Sequence, residues 1–413
     1  MSEQPVQADL FDHVLQAYAD AGGSLSNDQL YRELSRRAGI DERAWTEREA
    51  VGTSAKTYSL LKRRVRWMQQ SLRNLGLLDH AESGQRGHWS ITPKGKGKLT
   101  PAAPRRVLLG FSTRLGLALW SGAESVFPKL DEPITLCLTS PPFALAVPRA
   151  YGNPSLDEYV GWLCSQLEPI VKNLLPGGVI ALNVSNDIFL PGSPARAPYQ
   201  EMLLLALYSK LSLYKMDQLV WRNITKPPAP VRWASITRQQ LNVAWEPIYI
   251  LTNDPINCKA DNRRVLQEHT QRQLDLIRRG GEQRTTNYGD GAYRLRHGSY
   301  ANETPGRIPR NVLDYPHRCA DKQALARMAK AQGLPVHGAT MPLKLAKFLV
   351  EYLSDVNDLV VDPFGGWFRT AKAAEMTGRR WVSTEKHAEY VLGGANGFRD
   401  CEAFELFGSL AAA

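Results

Sequence analysis

The chain predicts an open α/β fold of largely parallel strands with a small helical domain at its N-terminus, and three observations lead there. Two apolar runs, Ile134-Thr135-Leu136-Cys137-Leu138 and Asp358-Leu359-Val360-Val361-Asp362, read as buried strands, and each stops at a rigid or glycine-rich turn. At 413 residues the chain exceeds one usual domain, so a main domain of about 250 to 300 residues plus an accessory one is expected. Residues 9 to 99 carry a different pattern, helices and then a short strand. They run into Pro93-Lys94-Gly95-Lys96-Gly97-Lys98 and Pro101-Ala102-Ala103-Pro104, a composition that suits a linker.

Within that first region, Leu10 to Ala21 and Ser26 to Ala38 have helical spacing, and Ser26 or Asn27 is the expected N-cap of the second helix. A third helix is expected from about Lys56 to Leu75. Gly76-Leu77-Leu78, a polar tip at Ser83-Gly84-Gln85-Arg86-Gly87 and the strand His88-Trp89-Ser90-Ile91-Thr92 follow it, which is the order of a winged helix over residues 1-100. On the third helix Leu60, Leu61, Val65, Met68 and Leu72 keep an approximate helical period, while Lys62, Arg63, Arg64 and Arg66 are basic. One face can pack while the other meets phosphate, and Lys94 on the wing side adds to it. Between residues 56 and 98 the acids are Asp79 and Glu82 alone, so the basic excess is local. The alternative is a solvated face of a protein-interaction module.

In the main region the strand ending at Leu138 leads into Thr139-Ser140-Pro141-Pro142-Phe143. Two prolines stop the chain from re-entering a ladder, so the strand end holds its side chains over a pocket. The second strand leads into Asp362-Pro363-Phe364-Gly365-Gly366, whose glycines let backbone approach a ligand before a helix begins at about Thr370. Open α/β sheets bind ligands beyond the carboxyl ends of their strands.

These two motifs, in this order, resemble the β-group of DNA amino-methyltransferases, where an SPP(Y/F) or DPPY motif precedes a DPFxGxGT-type motif. The likeness extends to Tyr151-Gly152, Asp157 to Leu163, Leu174-Leu175-Pro176-Gly177-Gly178-Val179, Trp245-Glu246-Pro247-Ile248-Tyr249-Ile250, Arg307 to Leu313, His337-Gly338-Ala339-Thr340-Met341-Pro342 and Gly378 to Val382. It covers residues 105 to 400 with gaps. The first region is similar to the N-terminal domain of Mrr-type restriction proteins.

The resemblance implies a Rossmann-like S-adenosylmethionine-dependent methyltransferase fold over residues 105-252 and 311-413, with 253-310 as a target-recognition insertion. An exocyclic amine is a poor nucleophile because its lone pair is delocalised into the ring. By resemblance Ser140 and the carbonyl of Pro141 accept hydrogen bonds from it, Pro142 keeps the turn rigid and Phe143 stacks on the flipped base. Transfer is then direct, with no covalent enzyme intermediate. S-adenosylmethionine is the implied cofactor, with Asp362, Phe364 and Gly366 around it, Glu385 on the ribose hydroxyls, and Thr340, Pro342 and Asn311 on the far side. For Glu385 alone the alternative is an ordinary surface carboxylate. Ser140 at the first catalytic position favours N4 of cytosine, with N6 of adenine as the alternative.

The chain departs from the family pattern at Trp367-Phe368-Arg369, where small residues are usual. Either the aromatics line or lid the cofactor pocket, which is the expectation here, or the chain is a degenerate DNA-binding reader or specificity protein. Arg263 and Arg264 open a basic stretch from Lys259 to Arg310 and are expected to contact DNA, the alternative being a long solvated insertion.

Composition limits the rest. A formal charge of +10 suits a polyanion, whether DNA, RNA or acidic lipid. The five cysteines are scattered, with no CxxC pair, so neither a disulfide framework nor a zinc site is expected. No Pro-Cys dipeptide is present, which argues against methylation at carbon 5 of cytosine. The opening residues lack a basic start and an apolar core, and no apolar run of about 18 residues occurs, so neither a signal peptide nor membrane association is expected. The expected setting is the bacterial or phage-infected cytoplasm, at the nucleoid, with double-stranded DNA as partner. A homodimer and a cognate restriction endonuclease are further partner expectations.

Overall fold

The computed structural model describes residues 13–14, 17–18, 21, 23–50, 57–74, 78–81, 87–92, 99–145, 152–289 and 291–407. The first region contains β1 (Ser24–Ser26), α1 (Asn27–Ala38), α2 (Leu60–Asn74), β2 (Leu78–His80) and β3 (His88–Ile91). Ser26 is the N-cap of α1, and a capping box fixes it. Its Oγ accepts from Gln29 N at 3.2 Å, and Gln29 Oε1 accepts from Ser26 N at 2.8 Å. The helix ends at Gly39, whose φ of 64° lies in the left-handed region. On α2, Val65, Met68 and Leu72 are fully buried against Leu30, Leu34, Trp45 and Trp89. Gln69 Nε2 crosses that core to reach Tyr18 Oη at 2.7 Å and Asn27 Oδ1 at 2.9 Å. The strands pair antiparallel in the order β1-β3-β2, so β1 completes the wing sheet, a pairing the sequence pattern did not suggest.

The main region is built on one ten-stranded sheet. In chain order it contains β4 (Leu108–Ser112), β5 (Gly116–Trp120), β6 (Ile134–Thr139), α3 (Tyr159–Lys172), β7 (Leu174–Asn183), α4 (Tyr199–Leu211), β8 (Tyr214–Arg222) and β9 (Trp245–Thr252). Then follow α5 (Gln271–Arg278), β10 (Thr286–Tyr288), β11 (Tyr293–Leu295), β12 (Val312–Asp314), α6 (Ala320–Ala331), α7 (Leu343–Leu353), β13 (Leu359–Asp362), α8 (Arg369–Met376), β14 (Arg380–Glu385), α9 (Ala388–Ala395) and β15 (Glu405–Leu406). The strand order is β12-β8-β9-β7-β6-β13-β14-β5-β4-β15, and β10 and β11 form a separate hairpin.

Strands β6 and β13 are buried along their whole length, as the unbroken apolar runs require when helices cover both faces. Helices α3 and α4 pack on one face with Phe127 and Tyr249, while α7, α8 and α9 pack on the other with Phe111 and Trp381. Parallel pairing runs from β7 through β6, β13 and β14 to β5. After β6 the chain moves outward to β7, and after β13 it moves outward the other way to β14. The strand order therefore reverses between β6 and β13, which places a topological switch point at their carboxyl ends. Among the described residues no helix is long and apolar enough to cross a membrane.

Candidate functional site

A cavity of about 710 Å³ opens at that switch point, within the range of small-molecule sites. Ser140, Pro141, Pro142 and Phe143 leave β6 into its wall. Asp362, Phe364 and Gly366 leave β13, Glu385 ends β14, and Thr340 precedes α7; all of these line the same cavity. The two motifs, far apart in sequence, are joined by a buried bond, Thr139 Oγ1 donating to Asp362 Oδ1 at 2.7 Å. Phe364 N donates to the same oxygen at 3.0 Å. Burial nevertheless dominates the acidity of Asp362, which is pushed up to about 6, with the Thr139, Phe364 and Thr370 bonds opposing the rise and the Glu385 charge adding to it.

The turn after Asp362 needs its glycines. A Cβ on Gly365 would lie 2.4 Å from Ser383 Oγ, and Gly366, at φ 53°, would bring one to 3.1 Å from His337 Nε2. Gly366 N donates to Glu385 Oε2 at 2.8 Å, and Glu385 Oε1 accepts from His387 N at 2.9 Å with His387 Nδ1 at 3.1 Å. Glu385 is thus a buried carboxylate that ties two strand ends together. A carboxylate has about four acceptor sites, so capacity is left for a ligand.

Ser140 Oγ donates to Asn183 Oδ1 at 3.0 Å. Asn183 Nδ2 donates to Pro247 O at 3.2 Å and to Glu246 Oε2 at 3.4 Å, both obligate acceptors, so its oxygen must face Ser140. Glu246 in turn pairs with Lys226 at 3.5 Å. Burial raises the Glu246 carboxyl above its ordinary value, against the Lys226 charge and the Asn183 bond. Asn183, Asp187, Lys226 and Glu246 all line the cavity, and the sequence reading gave none of them a role. One signal was available: Asn183 follows the apolar run Val179-Ile180-Ala181-Leu182, as the Thr139-Ser140 pair follows its own run.

Several expectations need correction. Phe368 does not face the ligand; it is fully buried and meets the Phe111 ring edge-on at a centroid distance of 5.1 Å. The physical reason is the left-handed backbone of Phe368, at φ 55°, which after two glycines swings its side chain under α8 into the sheet core. Trp367 reaches the cavity wall but is itself buried, packed with Leu325, Ala329 and Tyr390 between α6 and α9. It is a wall and not a lid. Asn311 is exposed beside β12, its carbonyl accepting from Val220 N at 2.8 Å, and lies off the cavity. Pro342 is the N-cap of α7, behind the lining pair Thr340 and Met341.

The basic candidates divide. Lys62 lies 5.2 Å from the centre of the Tyr31 ring, and Arg63 and Arg66 are on the exposed side of α2. Lys94 and the Arg64 side chain fall outside the described residues. Arg263 is held by Asp261 at 2.6 Å. Arg264 bonds Lys259 O at 3.0 Å and Asp355 at 3.3 Å, so it pins the insertion to the end of α7 instead of standing free for phosphate. Among the described residues of 253–310, none lines the cavity.

Five residues on the wall carry polar atoms buried without a hydrogen-bond partner among the described residues: Asn153 Oδ1, Asp187 Oδ1, Thr340 Oγ1, Trp367 Nε1 and the Nε of Arg369, the first residue of α8, whose Nη2 is paired with Asp321. Buried polar atoms are ordinarily satisfied, so such orphans facing a cavity mark groups left for a ligand.

Residues 134–395 match the family model described as DNA methylase, and residues 8–100 match the Mrr N-terminal domain. The type II methyltransferase M.PvuII of Proteus hauseri is 31% identical over 274 residues, which is 65% of this chain and 79% of that protein. The solved PvuII DNA methyltransferase, cytosine-N4-specific, superposes with a TM-score of 0.55 and 26% identity, covering 70% of this chain and 88% of the other. A DNA modification methylase of Thermus thermophilus, solved with S-adenosyl-L-methionine, aligns at a TM-score of 0.43 and 21% identity over 70% of this chain and 95% of its own.

Proposed function

The chain belongs to the DNA methylase family, and from that premise we propose that it transfers a methyl group from S-adenosylmethionine to the exocyclic N4 amine of cytosine in double-stranded DNA. The observation that carries the proposal is the meeting of the Ser140–Phe143 and Asp362–Gly366 motifs on adjacent strands over one cavity, joined through Thr139 and Asp362.

The residues present fit the cofactor. Gly365 and Gly366 bring bare backbone to the cavity wall, and Thr340 Oγ1 is a buried hydroxyl with no partner among the described residues. Asp362, Phe364 and Gly366 would hold it along the turn and Glu385 would take the ribose hydroxyls. When bound, S-adenosylmethionine supplies an electrophilic methyl group. The acceptor side is the work of this chain's residues. Asn183 Oδ1 accepts the hydrogen bond of the Ser140 hydroxyl, which leaves the lone pairs of Ser140 Oγ to accept from the substrate amine together with the Pro141 carbonyl. Those bonds draw the nitrogen lone pair out of the ring and hold it in line, so positioning and electrostatics provide most of the acceleration. Phe143, half-buried on the wall, offers a face to the extruded base. Asp187 and Glu246 place negative charge beside the amine as it becomes cationic and supply an acceptor for the proton it then loses.

Ser140 and the likeness to a cytosine-N4-specific enzyme favour cytosine. The basic side of α2 would hold the duplex, with residues 253–310 as the recognition insertion. An Mrr-type module beside a methylase suits a restriction–modification setting with a cognate endonuclease. The test is to incubate the protein with S-adenosylmethionine and unmethylated duplex DNA, digest the DNA and identify the nucleosides by mass spectrometry. 4-Methylcytosine is expected. 6-Methyladenine alone would overturn the choice of base, and DNA binding without any transfer would favour a reader or specificity protein.

A further inference from the structure

We propose that Arg369 binds the α-carboxylate at the amino-acid end of S-adenosylmethionine, an inference that rests on the methyltransferase reading. The residue directly follows the glycine turn and Phe368, and the left-handed turn that sends Phe368 into the core delivers Arg369 to the cavity wall. It is 6% exposed, and its Nε has no hydrogen-bond acceptor among the described residues. Its ion partner is Asp321 in the first turn of α6, with a side chain 38% exposed. A guanidinium presents five N–H donors in a planar fork, and Asp321 engages it through Nη2, so the Nε donor is left open. Burial lowers its pKa to about 10, which leaves it cationic at neutral pH.

The ligand's chemistry supplies what the fork lacks. S-adenosylmethionine has a ribose diol, a reacting methyl and a methionyl carboxylate. Glu385 is assigned to the first and the acceptor amine held by Ser140 to the second, so the third calls for a cation on the same wall. Among the described residues, the other lining cations are Lys226, paired with Glu246, and Lys386, exposed next to Glu385. Arg369 is the buried one. Thr340, whose hydroxyl also lacks a partner among the described residues, adds a second donor to the cavity. The ligand carboxylate would join the open Nε donor of Arg369 without displacing Asp321.

Calorimetric titration of the full chain with S-adenosylmethionine and with decarboxylated S-adenosylmethionine tests this, with no turnover required. The wild type should prefer the carboxylated ligand. Arg369→Gln should weaken it about 10- to 100-fold, the range for hydrogen bonds to a charged group, while decarboxylated ligand changes less than about threefold. Asp321→Asn removes the ion partner without touching the cavity and should keep S-adenosylmethionine binding within about threefold. Equal losses for both ligands in Arg369→Gln, matched by Asp321→Asn, would make Arg369 a structural strut and overturn the proposal. Wild-type protein that binds both ligands equally overturns it even if the variants do not fold. Wild-type protein that binds neither overturns the methyltransferase reading itself.

Discussion

Asp362→Asn should stabilise the protein, most strongly at neutral to alkaline pH. In the fold this carboxyl titrates at about 6 against 3.8 for an ordinary aspartate, because burial penalises its charge more than its hydrogen bonds favour it. A raised folded value means that the native state holds the proton more tightly than the unfolded chain. Stability linked to Asp362 is therefore fully present below pH 3.8 and is lost as pH rises through 6. The shift of about two units corresponds to roughly 3 kcal/mol of cost above pH 7, and about half of that is already present at pH 5. Asparagine is nearly isosteric and keeps an oxygen for Thr139 Oγ1 and Phe364 N. It carries no charge to desolvate, so it should recover most of this cost. Urea denaturation of both proteins at pH 5 and pH 8 would measure it, with a gain at pH 8 larger by about 1 to 1.5 kcal/mol than at pH 5. An equal effect at both values, or a loss at both, would show that the carboxylate is net stabilised where it sits and that the argument from burial is wrong.

Ser140→Ala should lower kcat by roughly 10²- to 10³-fold, as for loss of one preorganised group in the transition state, with DNA and cofactor affinities within a few-fold. Retention of most turnover would remove Ser140 from the reaction. Phe368→Ala should cost about 3 to 5 kcal/mol of stability as a core truncation, and cofactor affinity of the folded fraction should hold. A selective loss of affinity at unchanged Tm would restore the lid role that the structure withdraws.

The elements that set the site were legible because each is a local pattern. Unbroken apolar runs mark β6 and β13, a capping box marks α1, and the prolines and glycines that end the strands are visible as residues. What was not legible depends on pairing or on a single dihedral. Ser140 just past the end of β6, Asn183 at the end of β7 and Glu246 on β9 come from three successive strands of the sheet, and only the β6-β7-β9 order brings them together. Trp367 and Phe368 could be seen to replace small residues, but where they point is decided by one left-handed φ that the sequence does not encode in glycine. Arg264 looked like its neighbours in a basic run; its bonds to Lys259, Tyr352 and Asp355 come from the way the insertion returns to α7.

The bond from Thr139 to Asp362 spans 223 positions of chain, and that separation has a consequence during synthesis. At about 5–20 residues per second, β6 leaves the ribosome roughly 10 to 45 seconds before its neighbour β13. Until then β6 can pair with β7 on one side, while its other edge stays open and apolar, a template for any stray strand. The half of the molecule proposed to grip the base is made first and waits for the half proposed to grip the methyl donor. A nascent chain released before residue 359 would thus carry the SPPF motif without a cavity and be prone to aggregate, so the order of the two motifs along the gene makes complete translation a precondition for any encounter with the donor.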